Sequence, residues 1–299
     1  VKFVKIELQD ILVHIKPLIG MLLLANSYML YTALDRAFLS LLDAKISVSY
    51  YTFALSIAQL ITSVVYSIIV VSIPRLSYYY GSGDENNYRD LLNQVAKTFL
   101  FLVIPMGIGL CCVSDEVMLI YAGEKYLEAG IVTSIFAIRT IIWAIELILG
   151  KQIIFINDFE NKLTSFYFLG GGVNIILNSI LYFNNIFKPE FYIGTTIIAE
   201  GIVVLLEVLF INKHKLVSLK TIFATIYKYS LVSLGFIPIY YLFKYIFNIN
   251  SYAITLNMLI MVCLVIATCG LYYLIALFIL KDSTLYYAVN IVKGKLKRK

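Results

Sequence analysis

Eight stretches of this chain are long and apolar enough to cross a bilayer as helices, which takes roughly 20 mostly apolar residues each. They cover about Leu12–Leu34, Tyr50–Ile73, Val95–Val113, Gly130–Ile156, Leu163–Phe183, Phe191–Ile211, Thr225–Phe247 and Ile254–Leu280. A bilayer core offers no water to backbone amides, so such spans must be helical. The alternation over about ten residues that marks a membrane β-strand is not seen. The expected fold class is all-α, a polytopic transmembrane helix bundle of about eight spans. Only 14% of the 299 residues are charged and 61% are hydrophobic, whereas a soluble domain carries about 25% charge. That excludes a soluble enzyme, a nucleic-acid binder and a secreted domain.

The placement of Lys and Arg orients the bundle. Of the 24, only Arg36, Lys45, Lys125, Lys188 and Lys244 fall on one side, and Arg139 lies within a span. The rest sit in the N-terminal segment, in the connections after the second, fourth and sixth spans (Lys151 among them), and in the basic tail from Lys281 to Lys299. The positive-inside rule then places both termini in the cytoplasm. The net charge of +6 is read as topology and contact with anionic lipid, with no nucleic-acid partner implied. Gly81-Ser82-Gly83-Asp84 predicts a turn, and Asn86–Gln94 after it reads as a short amphipathic helix on the membrane surface. The cysteines (Cys111, Cys112, Cys263, Cys269) lack metal-ligand spacing, and the two histidines, His14 and His214, are far apart. No metal site, cofactor motif or catalytic constellation is indicated.

Polar residues inside the spans carry the functional signal. Arg139, Trp143 and Glu146 share one helix face at i, i+4 and i+7. A charge at mid-bilayer costs about 2.5–3.5 kcal/mol on insertion scales, so it needs a wet cavity or a partner. One reading is a cationic site for an anionic headgroup with Trp143 stacking beside it; the other is a structural Arg139–Glu146 pair. Asp35 and Arg36 close the first span, either as interfacial residues or as a polar patch at the mouth of a cavity. Asn174 and Asn178, one turn apart behind Gly170-Gly171-Gly172, suit close helix packing and amide bonds between helices, with ligand contact as the second reading. Glu200 is deep enough to bind a cation or proton, and Glu207, nearer the span end, is expected to be solvated. Pro105 and Pro238 are kink signals.

Several segments together resemble a known family. Tyr31–Arg36 (YTALDR), Ser49-Tyr50-Tyr51, Ile73-Pro74-Arg75-Leu76-Ser77 and Tyr121-Ala122-Gly123 occur in an order similar to that of Wzx-type lipid-linked oligosaccharide flippases. The match continues through Gly172–Asn178 (GVNIILN) and Ile193–Glu200 (IGTTIIAE). These flippases belong to the multidrug/oligosaccharidyl-lipid/polysaccharide exporter superfamily, and Ser49 stands where they often have glycine. The resemblance implies that residues 1–211 form the second six-helix lobe of such a carrier, with the first lobe missing. It implies that residues 212–299 add two C-terminal helices and a basic cytoplasmic tail. It further implies a central cavity for an undecaprenyl-diphosphate-linked oligosaccharide, with ion binding driving the return step, in a bacterial plasma membrane. On it Asp35 and Arg36 are cavity candidates beside Arg139, Trp143, Glu146, Asn174 and Asn178, with Glu200 the ion-coupling candidate. A polysaccharide polymerase and glycosyltransferases are the implied partners. The rival readings are a membrane-embedded polymerase or glycosyltransferase and a drug/cation antiporter of the same superfamily.

Overall fold

The computed structural model describes residues 31–248 and 254–296. Seven of its helices are long and apolar enough to cross a membrane. They are α2 (Lys45–Gly81), α3 (Glu85–Cys112), α5 (Ala129–Glu146, continued by a π-helical segment Leu147–Ile154), α6 (Glu160–Phe183), α7 (Pro189–His214), the pair α8–α9 (Lys220–Ser233 and Phe236–Ile246) and α10 (Leu256–Ile279). Residues 31–41 form α1, while most of the first expected span, Leu12–Leu34, lies outside the described residues. Short helices α4 (Ser114–Ala122) and α11 (Ser283–Leu296) complete the order. The described residues contain no strand. The all-α multi-pass architecture is as the apolar runs required.

The distribution of polarity is inverted relative to a soluble domain. Leu60, Val64, Val71, Ile176, Leu205, Leu231 and Ile266 are exposed, whereas Asp35, Glu200, Glu207, Asn174 and Asn178 are fully buried. Water would penalise that arrangement, and lipid rewards it, because an unpaired polar group facing hydrocarbon is far costlier than an apolar one. α5 is the hub, packed on α2, α3, α4 and α7. Over half (56%) of its apolar window is buried, against 28% for α10 at the periphery. α8 and α9 pack against α3, and α10 packs on α8, α9 and α3.

Two local expectations change. Asn86–Gln94 is not a separate surface helix but the start of α3. Asp84 caps that helix, its Oδ1 accepting from the Asn87 amide at 3.2 Å, and Tyr88 and Leu92 are buried in the core, so nothing breaks the helix between Gln94 and the span. The same capping bonds hold the exposed Asp84 carboxyl below the usual carboxylate range. Around Pro238 there is a true interruption: α8 ends at Ser233 and α9 begins at Phe236. Gly235 sits between them with the Tyr272 ring so close that a Cβ there would lie 2.3 Å from its hydroxyl, and Pro238 in the first turn of α9 lacks the N–H that a continuous helix would use. Pro105, by contrast, lies inside an unbroken α3.

At the membrane edge, Asp282 ties α11 to α8. It accepts from Lys228, from the Tyr229 hydroxyl at 3.3 Å, and from the backbone amides of Thr284 and Leu285. Burial opposes its ionised form, but Lys228 and the two amides outweigh it and hold the carboxyl below its ordinary range.

The glycine run in α6 resolves into one critical position. A Cβ on Gly170 would lie 2.5 Å from Val203 Cγ2 and 2.6 Å from the Tyr31 hydroxyl, whereas Gly171 and Gly172 face open space. Gly170 therefore sets the approach of α6 to α7 and α1. We expect Gly170→Ala to destabilise the bundle by about 1–3 kcal/mol, the usual cost of overpacking, and Gly171→Ala and Gly172→Ala to be near neutral. Thermal unfolding of the three variants in one detergent checks this.

Candidate functional site

The polar residues that the sequence scatters over separate spans converge on one seam between α1, α5, α6 and α7. On α7, Thr196, Glu200, Val203 and Glu207 recur at i, i+4, i+7 and i+11, the spacing of a single helix face. Arg139, Trp143, Glu146 and Gly150 do the same on α5 and its π-helical continuation. Tyr167, Gly170, Asn174 and Asn178 form the matching stripe on α6. Three groups of contacts fill the seam.

The first centres on Asp35 in α1. Its Oδ2 accepts from the Tyr51 hydroxyl at 2.6 Å and from the Thr196 hydroxyl at 2.7 Å. Its Oδ1 accepts from Asn178 Nδ2 at 2.7 Å and Asn174 Nδ2 at 3.3 Å. Asn178 Oδ1 in turn accepts from the Thr195 hydroxyl at 2.6 Å. One carboxylate thereby joins four helices. Arg36, the adjacent residue, points elsewhere: it is partly exposed and donates from Nε to the Thr32 carbonyl of its own helix at 3.2 Å. The structure separates the two residues that the sequence treats as one patch.

The second is an ion pair. Arg139 Nε donates to both Glu200 oxygens, at 3.1 and 3.0 Å, and Nη2 also donates to Oε1. The paired carboxylate is thus Glu200 across the helix interface, not Glu146 one face-turn along. Arg139 and Glu200 are 5% and 0% exposed. Glu200 faces a guanidinium, which leaves it far from the open position suited to a free coupling ion.

The third group is Glu146, Glu207, Tyr167 and Tyr31. The Tyr31 hydroxyl donates to the Tyr167 carbonyl at 3.0 Å. Glu207 is fully buried rather than solvated, because α7 continues to His214 and keeps this position under the cover of α6 and the π-helical segment. Among the described residues neither oxygen of Glu207 has a hydrogen-bond partner, and Oε2 of Glu146 has none.

A cavity of about 420 Å³ opens against this seam. Arg139, Trp143, Glu146, Lys151, Tyr66 and Tyr167 line it, with Thr32, Gln59, Thr62, Ser63 and Thr140 adding hydroxyls and an amide. Trp143 packs with its ring centroid 5.9 Å from Tyr66 and 6.1 Å from Phe99. Asp35, Arg36, Asn174, Asn178 and Glu200 do not line this cavity.

Lys151 is the residue the sequence reading misplaced. Assigned by charge to a cytoplasmic connection, it lies in the π-helical segment on the cavity wall. Its Nζ donates to the Tyr66 hydroxyl at 3.1 Å and sits 5.4 Å above that ring. It makes no ion pair among the described residues. The signal was present in the apolar run itself, which continues past Lys151 to Ile156. π-Helical turns recur at functional sites because the extra residue re-aims side chains. Tyr51, Thr195 and Thr196, which complete the Asp35 group, lie in the segments that carry the family resemblance, but nothing in the sequence marked them as site residues.

The architecture defines a class: an all-α, multi-pass bundle with a buried polar seam. Among solved structures the chain is similar to a lipid II flippase, MurJ, in an inward closed conformation, with a TM-score of 0.54 and 18% identity. The alignment covers 84% of this chain and 53% of that one, so the chain spans about half the length of that flippase. Residues 10–131 match a family model described as polysaccharide biosynthesis protein. Both findings agree with the resemblance read from the sequence, in family over residues 10–131 and in fold over the bundle. No curated protein matches the chain.

Proposed function

We propose that this chain carries out transbilayer movement of a lipid-linked oligosaccharide, an undecaprenyl-diphosphate-linked repeat unit destined for capsule or another surface polysaccharide. Its polyprenyl tail stays in lipid while diphosphate and sugars pass along the polar seam. The observation that carries the reading is the Lys151 ammonium on the wall of a cavity of about 420 Å³ that Arg139 also lines, without an ion-pair partner among the described residues. The ammonium donates to the Tyr66 hydroxyl and keeps further N–H donors for an anion entering the cavity, and a diphosphate is the anion that a lipid-linked sugar presents. Trp143 and Tyr66 supply flat faces for sugar or guanidinium stacking, and the hydroxyl and amide rim supplies sugar hydrogen bonds. A polysaccharide polymerase and glycosyltransferases would act before and after it, at a bacterial plasma membrane with both termini in the cytoplasm.

The test is binding of a short-chain polyprenyl diphosphate to the purified chain in nanodiscs. Lys151→Ala is expected to weaken binding about tenfold or more, as loss of a charge-assisted contact does, with Lys151→Arg keeping most of it. A polyprenol lacking the diphosphate should bind both forms equally. Equal diphosphate affinity of Lys151→Ala and the parent chain would overturn the assignment of Lys151.

A further inference from the structure

The buried acids Glu146 and Glu207 remain without a role in that reading. Both are buried, at 1% and 0% exposure. Three of their four oxygens lack a hydrogen-bond partner among the described residues. Two ionised carboxylates in that state would be among the costliest arrangements a membrane bundle can hold.

Among the described residues the groups facing them are few. From α1 comes the Tyr31 hydroxyl, from α6 the Tyr167 hydroxyl, and from α5 and its continuation Arg139 and Lys151. From α7 comes Glu200, and α2 contributes Tyr66, bonded to Lys151. Arg139 is engaged by Glu200, which among the described residues leaves Lys151 as the further cation against two carboxyls. One negative charge is balanced and the other is not.

We infer that Glu146 and Glu207 form a proton-binding site that holds one proton between them and exchanges it with the cavity. The proton resides on one carboxyl oxygen, so the pair carries a single negative charge opposite Lys151. Release leaves two carboxylates and delivers one proton to cavity water.

The route is short. Glu146 and Tyr167 line the cavity, and Glu207 lies behind them. Glu207 Oε1 and the Tyr167 hydroxyl fall 2.7 and 2.9 Å from the point where a Cβ on Gly150 would stand. The missing side chain at Gly150, inside the π-helical turn, leaves the space that both oxygens border. The site is distinct from Glu200, the carboxylate that the sequence singled out for coupling. Its use as the coupling ion rests on the carrier reading above; the binding of the proton does not.

Infrared spectra of the whole chain in nanodiscs, titrated from neutral to alkaline pH, test the binding. A carboxylic-acid carbonyl band is expected at neutral pH, lost on alkalinisation, and absent in Glu207→Gln and in Glu146→Gln. Glu116→Gln, at a buried acid near Tyr240 and Lys244, should retain it. No such band, or a band unchanged in both seam variants, would overturn the inference. If Glu207→Gln does not fold, Gly150→Ala serves instead, because its methyl must displace Glu207 Oε1 or the Tyr167 hydroxyl. A shifted titration midpoint is expected there, and an unchanged one counts against the site.

A second arm measures flipping of a polyprenyl-diphosphate sugar in vesicles under an imposed gradient of about one pH unit, a tenfold bias in a one-proton equilibrium. The parent rate should respond to the gradient and Glu207→Gln should not. A titrating band with flipping indifferent to the gradient removes the coupling role alone. A titrating band with no flipping under any condition removes the carrier reading and leaves the proton site standing.

Discussion

Glu200→Ala should destabilise the bundle by about 3–5 kcal/mol, the cost of leaving one member of a buried ion pair uncompensated. Arg139 then keeps its charge at 5% exposure without the Glu200 carboxylate, in a membrane where a buried charge is already expensive. Replacing both members is a different experiment. Arg139→Leu with Glu200→Leu removes the charges and their desolvation cost together, and such exchanges are often neutral or stabilising. The double variant is therefore expected within about 1 kcal/mol of the parent chain. Denaturant unfolding can be followed through Trp143, the single tryptophan of the sequence, which lies one turn from Arg139 on the same face. The comparison separates the two roles that the sequence left open for Arg139. A double variant that is stable yet leaves surface polysaccharide unchanged in a host that depends on the chain would make the pair a packing device. A stable double variant without polysaccharide would put the guanidinium in the transport path, where its position on the cavity wall points.

How much of this was legible beforehand follows from what hydropathy can and cannot encode. Length and apolarity alone specify membrane helices, since the bilayer admits little else, and α2, α3 and α5 to α10 fall where the apolar runs do. A charge within such a run also declares itself, and so Arg139, Glu146 and Glu200 were found. Which charge meets which depends on the pairing of helices far apart in sequence. The i, i+7 spacing of Arg139 and Glu146 suggested a pair on one helix, but the geometry favours Glu200, 61 residues away, because a guanidinium reaches across an interface more easily than along its own helix over two turns. Lys151 and Glu207 failed for a related reason. Both stand near the ends of apolar runs, where side chains commonly snorkel to water, and only tertiary cover decides otherwise. α7 runs on past Glu207, and the π-helical turn carries Lys151 inward. Asn174 and Asn178 were visible as amides in an apolar helix, yet the carboxylate that organises them is on α1. No pattern within α6 could name it.

That carboxylate should be the most sensitive position in the seam. Asp35 accepts four side-chain hydrogen bonds from Tyr51, Thr196, Asn174 and Asn178, and it is fully buried. Removing an acceptor from a buried donor costs about 1–3 kcal/mol for each group left unsatisfied. The donors can partly re-pair: Asn174 already reaches Thr196, and Thr195 reaches Asn178. Asp35→Ala is thus expected to cost about 4–6 kcal/mol, a large part of the roughly 5–15 kcal/mol that holds a typical domain folded. Asp35→Asn keeps the volume and one acceptor oxygen but turns a second donor toward Tyr51 and Thr196, and should cost about half as much. Thr196→Val removes one of the four bonds and should cost about 1 kcal/mol. In a double-mutant cycle with Asp35→Ala its effect should fall well below that value, because the two share the same bond. Equal and additive effects of the two substitutions would mean that the hydroxyl and the carboxylate act independently, and that α1 is held to α7 by apolar packing rather than by the Asp35 network.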